Sequence, residues 1–409
     1  MPHFPARVVI TGMGVICSLG ANVADTWSSL VQGKPGIAPI QLLDASKLRF
    51  QNAAEVRGFV PEQHFTPDKL DLLDRFAQFA VVAGRQAIAD SGLNITPELA
   101  GKIAIVTGSC IGGQATSDAG FVGLYQKNIN RVHPLTIPKT MANAGASHIS
   151  MEFGITGPAY TISTACSSSN HAMGQAFWMV RSGQVQAAIT GGSETPFSFG
   201  LLKAWEAMRV VSSDTCRPFS KDRKGLILGE GAAMLVIESM ESAIARGAKI
   251  YGEIVGFGMS SDAGHITSPT FAGPAAAMRA ALSDAQLVPE QIGYINAHGT
   301  GTAGNDQTET RAIREVFGSH AARLAVSSTK SMHGHALGAA GGLEAVATVM
   351  TLREGIIPPT ANFTTPDPEC DLDIVPNQSR PAAVEFALSN SFAFGGLNAV
   401  LAFRKSPLF

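Results

Sequence analysis

Charge is scarce in this chain. Only 15% of its 409 residues are Asp, Glu, Lys or Arg, and the net charge is −2, so there is no field to attract nucleic acid or an anionic membrane. Cysteine is sparse as well. The five present (17, 110, 166, 216 and 370) are odd in number and include no CxxC pair, which excludes a disulfide framework or a zinc ribbon and suits a reducing compartment. No apolar run approaches the ~18 residues of a membrane span. No basic n-region with a cleavage site precedes the apolar run Val8-Val9-Ile10, so the expectation is a soluble, cytoplasmic protein. There is no HExxH, no Walker loop and no basic stretch interleaved with aromatics. Gly12-Met13-Gly14 follows a strand-like run, but Cys17 stands where a dinucleotide fingerprint wants its third glycine. Gly191-Gly192-Ser193-Glu194-Thr195 ends in Thr rather than the glycine of a GxSxG elbow. His333 and His335 alternate without a third ligand nearby, so no metal is expected there.

What remains is a rich supply of apolar residues (45%) and of glycine (43) dispersed in short loops. That length allows two ordinary domains or one large fused core. Strand-like and helical runs alternate throughout, the pattern of layered α/β structure. Strands are expected at 7–12, 102–107, 159–162, 187–192, 232–238, 250–258, 292–297, 324–327, 384–389 and 399–403. Helices are expected at 75–91, 170–180, 240–246, 275–285, 306–317 and 341–353. Each half contains a strand that delivers a tight turn, at 161–166 and at 387–396. We therefore expect two halves, 1–251 and 252–409, packed as one unit.

Cys166, in Ser163-Thr164-Ala165-Cys166-Ser167-Ser168-Ser169, sits where a strand ends and a helix begins. The positive end of a helix dipole lowers a thiol's pKa and favours the thiolate. A buried structural thiol is the bland alternative, and the company Cys166 keeps speaks against it. His298 lies in Asn296-Ala297-His298-Gly299-Thr300-Gly301-Thr302, and His335 in Lys330-Ser331-Met332-His333-Gly334-His335. Joining two thioesters through carbon needs a soft nucleophile to carry the acyl group, which a thiol provides. It also needs donors for an enolate formed by decarboxylation, which two neutral imidazoles provide. Lys330 could keep the local field positive, and Glu344 on the following helix could pair with it.

These segments, with Gly338-Ala339-Ala340-Gly341-Gly342-Leu343-Glu344 and Asn390-Ser391-Phe392-Ala393-Phe394-Gly395-Gly396, make the chain resemble the elongating β-ketoacyl-acyl carrier protein synthases (KAS I/II type) of the thiolase superfamily. The resemblance runs from about residue 7 to about residue 404, in the family's order and spacing. It implies a thiolase fold of the α/β class, a duplicated five-layer αβαβα architecture. It further implies decarboxylative Claisen condensation of malonyl-carrier protein with an acyl group held on Cys166. His298 and His335 would hold the enolate, with Lys330 and Glu344 supporting them. The N–H groups of Cys166 and Phe394 would bind the acyl oxygen, and Phe394 would act as a gate. Thr300, Thr302, Thr267 and Ser268 would line the phosphopantetheine arm, Ile111 would lie at the bottom of the acyl pocket, and Arg209 would take a docking position for an acyl carrier protein. No cofactor is implied beyond the carrier's own arm, and the expected assembly is a homodimer or a heterodimer with a chain-length-factor-like paralogue. A non-catalytic chain-length factor would lack the nucleophile. A thiolase acting on coenzyme A thioesters would carry a late catalytic cysteine in a glycine loop, which Pro368-Glu369-Cys370-Asp371 does not match. Initiating synthases would have Asn at the third catalytic position, where this chain has His335.

Two departures from the family's pattern stand out. Ala393 and Leu397 replace a usual Gly and Thr in the gate, and alanine takes φ > 0 less cheaply than glycine. Asp68, Asp71 and Asp74 place negative charge where fatty-acid enzymes present basic residues to the carrier. Both departures leave room, beside fatty-acid synthesis, for a specialised partner such as one in polyene, polyketide or nodulation-type lipid synthesis.

Overall fold

The computed structural model describes residues 5–406. Ten strands form one sheet: β1 Val8–Cys17, β2 Ile103–Gly108, β3 Ala159–Ile162, β4 Ala187–Glu194, β5 Gly231–Ser239, β6 Gly252–Ser261, β7 Ile292–Asn296, β8 Ala325–Ser327, β9 Phe386–Ala393 and β10 Leu397–Lys405. Their spatial order is β8-β7-β9-β10-β6-β1-β5-β4-β2-β3. Counted outward from the centre, β1-β5-β4-β2-β3 and β6-β10-β9-β7-β8 follow one topology, which exposes an internal duplication. The two sets join through a short antiparallel contact in which Val8, Val9 and Ile10 face Ile254, Glu253 and Gly252.

Eight helices of ten or more residues occur among the described residues: α1 Arg75–Ser91, α2 Gln114–Gln126, α3 Ala144–Phe153, α4 Ser168–Arg181, α5 Phe199–Met208, α6 Ala272–Ala285, α7 Ala303–Phe317 and α8 Ala340–Glu354. α1 lies on β1, β5 and β4 with α3 beside it on β2 and β3, and α6 lies on β6 and β10 beside α7. Between the two sheet halves run α4 and α8, each touching strands of both. This is the expected αβαβα layering. Every residue of α8 from Ala340 to Leu352 is buried, as a helix enclosed on all sides requires. Its approach to α4 depends on Gly341, where a Cβ would fall 2.4 Å from Asn170 Oδ1. The strands β1, β2 and β4 are buried along their whole length. They are covered on both faces, so they read as continuous apolar or small-residue runs rather than as alternation.

Asp74 departs from its expected place on an acidic surface. It is the buried N-cap of α1, accepting from Phe76 N–H at 3.2 Å and from Thr116 N–H at 3.0 Å. Asp68 and Asp71 are exposed, and between them Lys69 pairs with Glu152 at 2.6 Å.

Candidate active site

The turn after β3 brings the nucleophile into position. Ala165 adopts φ 50°, a strained value for a residue with a Cβ. Ser168 pins the turn reciprocally, its hydroxyl accepting from Thr164 N–H at 2.9 Å and donating to Ala165 O at 2.6 Å. Cys166 therefore sits just ahead of α4, with Sγ facing a cavity. From the other half, β7 ends at Asn296 and delivers His298. His335 is carried on a segment whose N–H donates to Ile227 O at 2.6 Å.

These three side chains meet. His335 Nε2 is 3.1 Å from Cys166 Sγ, the two imidazoles cross edge to face at 5.4 Å between centroids, and the ligand-type atoms of the trio lie within 4.8 Å of one another. Behind them Lys330, fully buried, donates to His298 O at 2.7 Å and to His298 Nδ1 at 3.3 Å, and pairs with Glu344. A proton on Lys330 facing Nδ1 leaves His298 with its own proton on Nε2, aimed at the cavity. Burial and the Lys330 charge hold both histidines well below the ordinary imidazole pKa, so both are neutral hydrogen-bond donors at neutral pH. Burial pushes the Glu344 carboxyl up, against the pull of Lys330.

The thiol behaves differently from the sequence-based expectation. Burial outweighs the helix terminus and pushes Cys166 up to about 11, opposed by the Lys330 charge and by the N–H groups of Cys166 itself and of Phe394. The resting group is a thiol. Both amides favour the charged form of the sulfur, so negative charge formed there faces fixed backbone donors.

A cavity of about 190 Å³ opens onto the trio, lined among others by Thr267, Thr300, Thr302, Trp205, Phe392 and Phe394. The Thr300 and Thr302 hydroxyls lie 2.8 Å apart. Phe394 stacks on Trp205 at 6.2 Å in the turn between β9 and β10. That turn is tied to the 262–266 loop by Gly395 N–H to Ile266 O at 2.8 Å and by Asp262 N–H to Gly396 O at 3.0 Å. Positive φ falls on Gly395 (83°) and Gly396 (70°), whereas Ala393 is a strand residue paired with Leu397. Ala393 thus carries no left-handed strain in this arrangement.

Three expected residues lie elsewhere. Ile111 does not line the cavity; it packs one layer away, in a cluster with Trp205, Val210 and Leu226. Ser268 is exposed on the loop beyond Thr267 and outside the lining. Arg209, the left-handed C-cap of α5, edges a separate basic hollow with Arg49 and Lys224, next to Val210 of the cavity wall. Cys370 is buried near Arg223 and Thr310 and takes no part in the trio.

Sequence reasoning missed the carboxylates that shape the His298 turn. Buried Glu309 accepts from His298 N–H and Gly299 N–H, both at 2.8 Å, and from Asn390 Nδ2 at 3.1 Å. Buried Asp306 accepts from Phe219 N–H at 2.8 Å and Gly301 N–H at 3.2 Å. Their signal was available: two acids at i, i+3 on one face of the helix that follows a glycine-rich turn.

The sequence profile described as beta-ketoacyl synthase, N-terminal domain, matches residues 6–243, and that of the C-terminal domain matches residues 251–364. Nodulation protein E of Rhizobium sp. (strain N33) is 47% identical over 399 residues, covering 98% of this chain and 99% of that protein. The 3-oxoacyl-[acyl-carrier-protein] synthase 2 of Synechocystis sp. is 46% identical over 407 residues, 98% of each. Among solved structures, the ishigamide ketosynthase/chain length factor superposes with TM-score 0.92 at 38% identity, covering 98% of this chain and all of that one. A type II PKS acyl-carrier protein in complex with its ketosynthase superposes with TM-score 0.89 at 30% identity and the same coverage of this chain.

Proposed function

The chain belongs to the β-ketoacyl synthase family and is an acyltransferase of the thiolase fold that condenses acyl thioesters, and from that premise we propose the part each residue plays. The observation that carries the reading is the meeting of Cys166, His298 and His335 across the two halves, with His335 Nε2 3.1 Å from Cys166 Sγ. Residues 1–251 contribute the nucleophile; residues 252–409 contribute the histidines and the gate.

Loading is a thiol exchange. Cys166 Sγ attacks the carbonyl of an acyl group on the phosphopantetheine arm of a carrier protein, the oxygen turns into the N–H pair of Cys166 and Phe394, and the pantetheine sulfur leaves with the proton. His335 Nε2–H steadies Sγ while it is charged. The acyl chain displaces Phe394 from Trp205 and runs toward Ile111. Malonyl-carrier protein then enters along Thr267, Thr300 and Thr302, and loses carbon dioxide. The enolate oxygen is held by the Nε2–H groups of His298 and His335. The enolate carbon attacks the acyl carbonyl, and the Cys166 sulfur leaves and takes up a proton. Lys330 and Glu344 keep the imidazoles neutral and fixed in place. The product is a β-ketoacyl group, two carbons longer, on the carrier.

The test is intact-mass analysis of the protein incubated with a panel of acyl-carrier proteins. At least one acyl group is expected to add to the chain, with the modified peptide containing Cys166. Addition mapped only to Cys110 or Cys216 would overturn the assignment.

The carrier meets the protein on the basic side of the cavity, where Arg209, Arg49 and Lys224 gather around one hollow. The assembly we propose is a homodimer in a reducing cytoplasm, where all five cysteines stay free, as they are here. β3 is an outermost strand with one edge unpaired, and Phe121, Tyr125, Ile137, Met141 and Met151 expose apolar surface from α2 to α3 on the same side. A lone edge strand beside a continuous apolar patch suits a second copy. Light scattering is expected to give the mass of two chains, and Tyr125→Asp with Ile137→Asp to give one. A one-chain mass for the unaltered protein would remove the homodimer. Recovery only with a co-expressed paralogue would replace it with the heterodimer.

A further inference from the structure

Pro269 belongs to two hollows at once. One is the catalytic cavity, where Thr302, Gly304 and Asn305 form the mouth. The other is an outer hollow of about 550 Å³ that it shares with Thr270, Phe271, Thr308 and Arg311. Gly304, Thr308 and Arg311 are spaced i, i+4, i+7, so they share one face of α7. At 1.5 Å per residue, Arg311 stands about 10 Å beyond the mouth along that face. The two hollows adjoin at Pro269 and lie along the same face of α7.

The charge on Arg311 is unmatched. Its guanidinium carbon lies 3.6 Å from the Phe271 ring centroid, and no carboxylate pairs with it among the described residues. Its neighbours are paired: Arg314 with Asp371 and Arg279 with Glu315, the latter at 2.9 Å. Glu369, the one carboxylate lining the hollow, accepts from Gln307 Nε2 at 2.5 Å. Stacking on a ring holds the guanidinium plane and leaves its N–H edge free, a geometry suited to a phosphate or carboxylate that accepts two bonds.

We infer that Arg311, held on Phe271, binds the phosphate at the head of the pantetheine arm and so sets how deep the arm reaches. The inference rests on the proposed carrier-borne substrate. Phosphate is favoured over an acidic side chain of the carrier because the hollow adjoins the catalytic cavity at Pro269. The arm's phosphate is also the one anion whose distance from the reacting sulfur is fixed covalently.

Two thiol-reactive probes test it: a bromoacetamide built on pantetheine, and the same molecule carrying the 4′-phosphate. Each alkylates Cys166, forming an Sγ–carbon bond as bromide leaves and the thiol proton passes to buffer, so acyl-chain preference plays no part. Rates are read by intact mass at sub-saturating probe. The phosphorylated probe is expected to react about tenfold faster than the other, the effect of one charge-assisted contact. Arg311→Gln should erase that advantage while leaving the unphosphorylated rate within about twofold, and Arg311→Lys should restore part of it. An advantage that survives Arg311→Gln overturns the inference. So does a variant that slows only carrier-borne substrate while the probe ratio is unchanged, which would assign Arg311 to a carboxylate of the carrier. Absence of acyl loading from any carrier protein would defeat the proposed function itself, whereas normal loading without a phosphate preference defeats this inference alone.

Discussion

Cys166→Ala is expected to take up no acyl group and to form no condensation product, yet to keep releasing carbon dioxide from malonyl-carrier protein. The expectation follows from a division of labour in the site. In the proposed mechanism Sγ carries the acyl group, while the enolate donors are nitrogens on a different half of the fold. Removing the sulfur leaves Lys330 bonded to His298 O at 2.7 Å and to Nδ1 at 3.3 Å. His298 keeps its tautomer, and both rings stay neutral. The fold should hold, because one lost sulfur costs on the order of 1 kcal/mol of burial against a typical stability of 5–15 kcal/mol. Intact mass reads the first outcome and release of labelled carbon dioxide the second. Acylation that persists in the variant would show that another cysteine carries the chain. Cys110 is the first to check, since it lies near enough for its pKa to respond to Cys166. Loss of decarboxylation along with loading would show that Sγ takes part in both steps.

The strands were readable because most are buried on both faces and bounded by glycine or polar turns, so local composition carried them. α8 was readable for the same reason, and the enclosure of its stretch Ala340 to Leu352 explains why the one carboxylate there, Glu344, stands opposite Lys330. The strand order was not readable. It depends on pairings between residues hundreds of positions apart, such as Val9 with Glu253, which leave no local trace. The trio of Cys166, His298 and His335 came from motif and resemblance, and geometry brought its members together. The state of the thiol escaped because the helix terminus is a local feature, whereas the burial that pushes the pKa to about 11 is a property of the closed cavity. Asp74 illustrates the same limit: three aspartates looked like one acidic surface, but one of them is consumed in capping α1. Ile111 and Ser268 came from resemblance alone. With Phe394 resting on Trp205, neither touches the cavity, and only a displaced gate would bring Ile111 into reach of an acyl chain.

His298→Ala and His335→Ala are each expected to lower malonyl decarboxylation by about 10²–10³, the usual effect of removing one donor from an oxyanion site. The measurement is cleanest in the Cys166→Ala background, where carbon dioxide release is uncoupled from condensation. Acyl loading, measured with Cys166 present, should fall less, because the loading oxygen meets the N–H groups of Cys166 and Phe394 rather than the imidazoles. The two variants should not be equivalent. His335 Nε2 lies 3.1 Å from Sγ, so its loss also removes the sulfur's imidazole partner and should slow loading more than loss of His298. His298 is the ring whose tautomer is set by Lys330, so Lys330→Met should reproduce much of the His298→Ala defect in decarboxylation. It would do so while destabilising the fold, since removing one partner of a buried pair costs about 3–5 kcal/mol. His298→Asn distinguishes a hydrogen-bond donor from a proton-transfer base. An amide N–H can still donate to the enolate oxygen but cannot accept a proton near neutral pH. Partial recovery in Asn relative to Ala would support the donor role. An Asn variant as slow as Ala, beside a parental rate in His335→Ala, would mean that His298 acts alone and as a base, and the paired-donor reading would fall.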